Sequence, residues 1–175
     1  MIEKPRILIF TGDGKGKTTA ALGMAFRASG HGLHSCIIQF IKSDASVGEI
    51  AAAEASSAIR ILPTGLGFVP SRGDPRFEQH RAAAQTGLHK AAEILASRHF
   101  ALVILDEIFA AVSQGLIDER QVMELMAKAS PKTCLVLTGR GASPALIALA
   151  DTVTEMRSVK HGMQAGHPAQ KGVER

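Results

Sequence analysis

The sequence predicts a single three-layer α/β domain over residues 1–175, with a mainly parallel sheet of the P-loop, RecA-like nucleotide-binding type. Three observations predict it. Apolar runs of strand length alternate with helix-length segments, the pattern of right-handed βαβ crossovers. The run Phe100–Leu105 is apolar throughout, as a strand covered on both faces must be. The first run, Ile7-Leu8-Ile9-Phe10, leads directly into a glycine-rich turn and then into the helix-forming stretch Thr19–Phe26.

The elements follow in order. Arg6–Phe10 is the first strand, and Lys17–Ser29 the first helix, closed by Gly30-His31-Gly32. Between them, Thr11-Gly12-Asp13-Gly14-Lys15-Gly16-Lys17-Thr18 reads as a phosphate cradle. Its glycines let backbone N–H groups converge on anionic oxygens, and the helix start adds a positive dipole end. Lys17 is placed to reach the outer phosphates and the Thr18 hydroxyl to hold a divalent metal. Thr11 stands where the strict pattern G-x-x-x-x-G-K-[ST] has glycine, so a flexible basic turn is the competing reading.

Ser35–Phe40 is a second strand, Gly48–Ser56 a short alanine-rich helix, and Ala58–Leu62 a third strand. A Gly- and Pro-rich loop, Pro63–Pro75, precedes a long helix whose Phe77, Arg81, Ala84, Leu88, Ala91 and Leu95 share one face. After the strand Phe100–Leu105 come a helix at Glu119–Lys128 and a strand at Thr133–Leu137. A helix at Ser143–Ala150 and a last strand at Thr152–Met156 follow, and residues 157–175 form a polar tail expected over the site.

In such sheets ligands bind beyond the carboxyl ends of the strands. After the second strand lie Gln39, Lys42 and Glu49; after the fourth, Asp106 and Glu107. An apolar strand ending in two acids beside a phosphate loop places carboxylate near a phosphate-bridging metal. The alternative is an acid pair stabilised by a helix start. Arg140, in Thr138-Gly139-Arg140-Gly141, suits an anion clamp, or else is a surface arginine in a turn.

Composition excludes other classes. No apolar run is long enough to span a bilayer, and the N-terminus lacks the plan of a signal peptide, so a cytoplasmic protein is expected. Cys36 and Cys134 read as buried core thiols, with a disulfide or metal role as the alternative. The net charge of +4 comes from basic residues scattered singly, and the chain has neither Trp nor Tyr. That argues against nucleic acid and for a polyanionic small ligand. His31, His34, His80, His89 and His99 show no metal-ligand pairing and read as surface or loop residues.

Taken together, several motifs resemble the ATP:corrinoid adenosyltransferases of cobalamin biosynthesis and salvage. They are Thr11–Ala21 with Arg27 and Gly30-His31-Gly32 behind it, Gln39-Phe40-Ile41-Lys42, Val103–Glu107 and Thr138–Gly141. The match continues through Ala150–Arg157, Val159-Lys160-His161 and Ala169–Glu174, and Thr11 is a common start of this family's loop. The resemblance implies transfer of the 5′-deoxyadenosyl group of ATP to the cobalt of a reduced corrinoid, with release of triphosphate. Cobalt(I) attacks C5′ of the ribose, so no general base is needed, and ATP lies reversed in the loop relative to most P-loop enzymes. It also implies roles: Gly12, Asp13, Gly14, Lys15, Gly16, Lys17, Thr18 and Thr19 hold the phosphates, and Arg27 lies near the nucleoside. Lys17 and Arg140 act on the phosphate chain as catalytic cations, and Thr18, Glu107 and Asp106 face Mg2+ or Mn2+. Phe68 and Val69 would meet the corrinoid. A homodimer and a reducing flavoprotein partner are further implications.

Two departures stand out. Larger members carry an N-terminal segment that helps cover the corrinoid, whereas this sequence starts almost at its first strand. Members also place Trp two residues after the loop Phe, and here Pro70 stands there. The pair of aromatics displaces the lower axial ligand of cobalt. Its loss implies altered activation or a corrinoid without that ligand, and leaves Phe68 readable as a plain loop anchor. Two other functions compete: a phosphoryl-transfer enzyme in which Glu107 orients the nucleophile, and a non-catalytic nucleotide and corrinoid carrier.

Overall fold

The computed structural model describes residues 4–44 and 46–173. Its six strands are β1 (Arg6–Thr11), β2 (Ser35–Gln39), β3 (Ile59–Pro63), β4 (Leu102–Asp106), β5 (Cys134–Thr138) and β6 (Thr152–Glu155). They form one sheet in the order β3-β2-β4-β5-β1-β6, parallel at every pairing. The helices are α1 (Lys17–Ser29), α2 (Gly48–Glu54), α3 (Phe77–Ser97), α4 (Ile108–Ser113), α5 (Glu119–Lys128) and α6 (Pro144–Ala148).

The continuous apolar strands are explained by two cores. Side chains alternate across a strand. Ile9, Ile38, Val103, Leu105, Leu135 and Leu137 therefore face the helices α3, α4 and α5, while Ile37, Leu102, Ile104 and Val136 face Ala21 and Ala25 of α1. Both faces of the central strand β4 are covered, so its run is apolar on both. The resulting three layers match the expected architecture.

Helix α3 is set by Phe77, Ala84, Gly87, Leu88, Ala91 and Leu95. Arg81 departs from expectation. Its charged head turns out toward Glu78, with 3.7 Å between them, because no acid awaits it in the apolar layer. At Gly87 a side chain would collide with Thr64 and Phe40, so glycine permits the close approach of α3 to the sheet. Helix α5 begins with a capping box, Asp118 and Gln121.

Strands β2 and β6 end one residue before the expected Phe40 and Met156, while the other four strands run one residue further than expected. Thr11, Asp106 and Thr138 extend β1, β4 and β5 by one polar residue each. All three are buried. Asp106 and Thr138 satisfy one another and Thr11 Oγ1 accepts from Ala142 N–H, so polarity alone did not end the strand. Phe100 drops out of β4; Cys36 is buried in β2, and burial pushes its thiol up to about 11. Cys134 is half-buried, and both thiols are free, which removes a disulfide between them. His31, His34, His89 and His99 are exposed and His80 half-buried. No helix among the described residues is long and apolar enough to cross a membrane.

Candidate active site

Chain connectivity brings the carboxyl ends of β1, β4 and β5 side by side, and the site is built there. The loop between β1 and α1 turns at Gly12 (φ 94°) and Gly16 (φ 108°), both in the left-handed region where a side chain is strained. The segment after β6 closes over it. Gly14 N–H donates to Met156 O at 2.6 Å, and Met156 N–H donates to Thr11 O at 2.8 Å. A Cβ at Gly14 would lie 2.6 Å from Met156 O. Lys17 is buried beneath this loop, its ammonium donating to Gly12 O and Gly14 O, each at 2.7 Å. Burial pushes Lys17 below the usual lysine range, with Arg140 adding to the effect and Glu107 opposing it.

Behind the loop stands Asp106, fully buried. Its Oδ1 accepts from the hydroxyls of Thr18 and Thr138, both at 2.8 Å. Its Oδ2 faces Gln39 Nε2 at 3.4 Å and Lys42 Nζ at 3.5 Å. Lys42 in turn pairs with Glu49 Oε1 at 3.0 Å. Burial alone would lower Lys42, but Asp106 and Glu49 outweigh it and hold the ammonium above its ordinary value.

Glu107 is the first residue past the strand and adopts φ 60°, left-handed for a residue with a side chain. Its N–H donates to Thr138 Oγ1 at 2.9 Å, so one hydroxyl fixes both acids. Burial and the adjacent Asp106 push the Glu107 carboxyl up, against the pull of Lys17, Lys42 and Arg140.

These groups surround an open cavity of about 830 Å³. Of the residues singled out in the sequence, Asp13, Gly14, Lys15, Gly16, Lys17, Thr18, Thr19, Glu107 and Arg140 line it. Gly12 and Asp106 are not in the lining, but they accept hydrogen bonds from Lys17 and Thr18, which are. The tail reaches the cavity as well, through His161, Gly172 and Val173, and Lys15 Nζ donates to Val173 O at 3.0 Å. Glu174, at the end of the tail motif, lies outside the described residues.

Three predicted residues are not brought to this cavity. Arg27 is exposed in the last turn of α1, about 15 Å along the helix from Lys17 at 1.5 Å per residue. Phe68 is 94% exposed, so it does not anchor its loop. Val69 does: it is buried in the core on the α3 side, and its side chain is not available to a ligand.

Other residues carry parts of the site that sequence reasoning did not assign. Thr138 is one, marked only by its place in the Thr-Gly-Arg-Gly turn. The wall formed by Ala110, Ser113 and Gln114 is another, because α4 has six residues and is too short to show a helical period. Lys42 and Glu49 were flagged by their position after β2, but nothing in a seven-residue separation announces an ion pair.

Thr18, Asp106 and Glu107 offer hard oxygen donors next to a phosphate loop, a set that fits a divalent cation with oxygen preference. Among the described residues no three His, Cys, Asp or Glu side chains converge as a self-sufficient metal centre. Such a cation would therefore draw ligands from phosphate and water.

The sequence pattern of the ATP:corrinoid adenosyltransferase family BtuR/CobO/CobP matches residues 3–175. A corrinoid adenosyltransferase of Pseudomonas aeruginosa is 40% identical, the match covering 98% of this chain and 84% of that protein. One from Sinorhizobium sp is 38% identical over 98% and 81%, and one from Escherichia coli 35% identical over 98% and 86%. Among solved structures, the flagellar accessory protein FlaH of Methanocaldococcus jannaschii superposes with a TM-score of 0.57 at 12% identity, over 87% of this chain and 72% of that one. That likeness concerns the fold alone. Matched from residue 3 to residue 175, and at 35–40% identity to relatives covered over more than four-fifths of their length, this chain belongs to the ATP:corrinoid adenosyltransferase family.

Proposed function

We propose that the cavity above Gly12–Thr19 is where this corrinoid adenosyltransferase holds ATP and releases triphosphate. The observation that carries the reading is that Lys17, Arg140, Glu107 and loop residues 13–19 line one cavity. In the reaction the cobalt(I) electron pair forms the Co–C5′ bond, the C5′–O bond breaks, and its electrons leave with the triphosphate. No proton moves. The protein's task is to orient C5′ and to stabilise a leaving polyanion.

Lys17 carries the second of these duties. With its ammonium already drawn to the loop carbonyls, it is oriented before the nucleotide arrives and exchanges those carbonyls for phosphate oxygens. Arg140 follows Gly139, whose φ of 137° and close approach to Phe109 exclude a side chain there. Its exposed guanidinium is then available to the phosphate chain. Mg2+ or Mn2+, held by Thr18, Glu107 and Asp106, would neutralise phosphate charge when bound. Gly12, Asp13, Gly14, Lys15, Gly16 and Thr19 complete the phosphate cradle, and Arg27 would serve only the nucleoside end, outside this cavity.

Phe68 presents the corrinoid with an apolar surface. Its loop is pinned rather than loose, because Gly67 N–H donates to Ile41 O at 2.8 Å and Val69 is buried. A reducing flavoprotein that delivers the electron to cobalt, assembly as a homodimer and a cytoplasmic location complete the proposal, on the strength of the family resemblance. Anaerobic incubation with ATP and chemically reduced corrinoid, followed by absorbance of the Co–C bond, tests the reading. Bond formation that requires ATP supports it, and none with any reduced corrinoid refutes it.

A further inference from the structure

The loop holds Lys15 and Lys17, the stretch after β2 supplies Lys42, and only the two loop lysines have a part in the account above. Lys42 lines the same cavity as Lys17. Its side chain is 33% exposed, while that of Asp106, 3.5 Å away, is 1% exposed. A buried carboxylate without a counter-charge is costly, and Lys17 does not supply one, since its bonds run to Gly12 O and Gly14 O. The two oxygens of Asp106 are unequally held. Oδ1 takes two hydroxyl bonds at 2.8 Å, whereas among the described residues Oδ2 has only a 3.4 Å amide contact besides Lys42. The terminal torsion of an aspartate is soft. Without Lys42, Oδ2 is scarcely restrained, and the carboxylate can turn and release the Thr18 hydroxyl.

We propose that Lys42 is a positioning residue: braced by Glu49, its ammonium fixes the Asp106 carboxylate so that Thr18 is aimed for metal-dependent nucleotide binding. Its action runs through Asp106 rather than through contact with the phosphates. The 3.0 Å bond to Glu49 at the start of α2 supplies the brace. The inference rests on the assignment of Thr18 and Asp106 to the metal side of the site.

The test compares binding with and without metal, using calorimetry on the full chain. Lys42→Met should lose about tenfold or more in affinity for Mg–ATP, the usual effect of removing a partner that orients a metal ligand. Its affinity for ATP in the presence of chelator should change by only about twofold, the screened influence of one charge already paired with two carboxylates. Lys42→Arg, which can still reach both acids, should recover most of the loss. Equal losses with and without metal would make Lys42 a phosphate ligand and overturn the proposal. So would an unchanged Mg–ATP affinity, or an arginine variant that folds normally yet recovers nothing. If the methionine variant does not fold, Glu49→Gln serves instead, with a smaller loss again confined to Mg–ATP; no loss refutes the brace. Corrinoid is absent from these measurements. Their failure leaves adenosyl transfer standing, and a wild-type enzyme that releases no triphosphate would remove that reading without touching Lys42.

Discussion

Replacing Lys17 with methionine should separate stability from function. In the folded protein the Lys17 ammonium is desolvated, which pushes its pKa below the unfolded value. Between those two values the unfolded chain holds the proton more tightly, so the charge opposes folding at neutral pH and below. Two carbonyl bonds of 2.7 Å offset this, each contributing about 1–2 kcal/mol. The opposing contributions leave a small net change, and the melting temperature of Lys17→Met should lie within about 5 °C of wild type. The functional loss has no such offset. A charge-assisted contact to a leaving polyanion in a preorganised site is worth about 3 kcal/mol or more, roughly 100-fold in kcat/KM. Differential scanning fluorimetry and anaerobic turnover of the same sample read both quantities. A variant that binds ATP and turns over normally would remove the phosphate loop from the mechanism, and one that unfolds would show that Lys17 holds the loop together.

Three further substitutions probe other parts of the site. Glu107→Gln should melt above wild type at neutral pH, because a carboxyl whose folded pKa is raised above 4.5 costs stability once ionised. The advantage should vanish as pH falls below that value, while Mg–ATP binding weakens at neutral pH; a water-orienting base would instead lose turnover with binding retained. Thr138→Val removes the hydroxyl shared by Asp106 and Glu107 and should cost about 1–3 kcal/mol in urea unfolding, with Thr138→Ser recovering most of it. Phe68→Ala should leave stability unchanged, given 94% exposure, and slow turnover more from cobalt(II) than from pre-reduced cobalt(I); equal slowing with both would show a general role for the loop.

Much of the fold was legible because local and global signals coincide. The bounds of α1 and α5 were read correctly: a glycine loop and a Gly-His-Gly stop delimit the first, and Asp118 caps the second. Strand ends were read one residue short at Thr11, Asp106 and Thr138, since polarity resembles a loop until partners are known. Asp106 and Thr138 bond to one another and Thr11 accepts from Ala142 N–H, all across segments distant in sequence, which a linear pattern cannot display. Helix α4 was missed for its length. In the Phe68 loop, sequence gives two adjacent apolar residues and no means of saying which turns inward; Val69 fills the core beside α3 and Phe68 is left outside.

The central claim concerns which bond of ATP breaks. Phosphorus NMR of an anaerobic reaction containing ATP, Mg2+ and reduced corrinoid reads it directly. Attack at C5′ predicts one inorganic triphosphate for each Co–C bond formed, and no ADP above background. ADP and phosphate appearing at a substantial rate without corrinoid, and no triphosphate with it, would contradict the account.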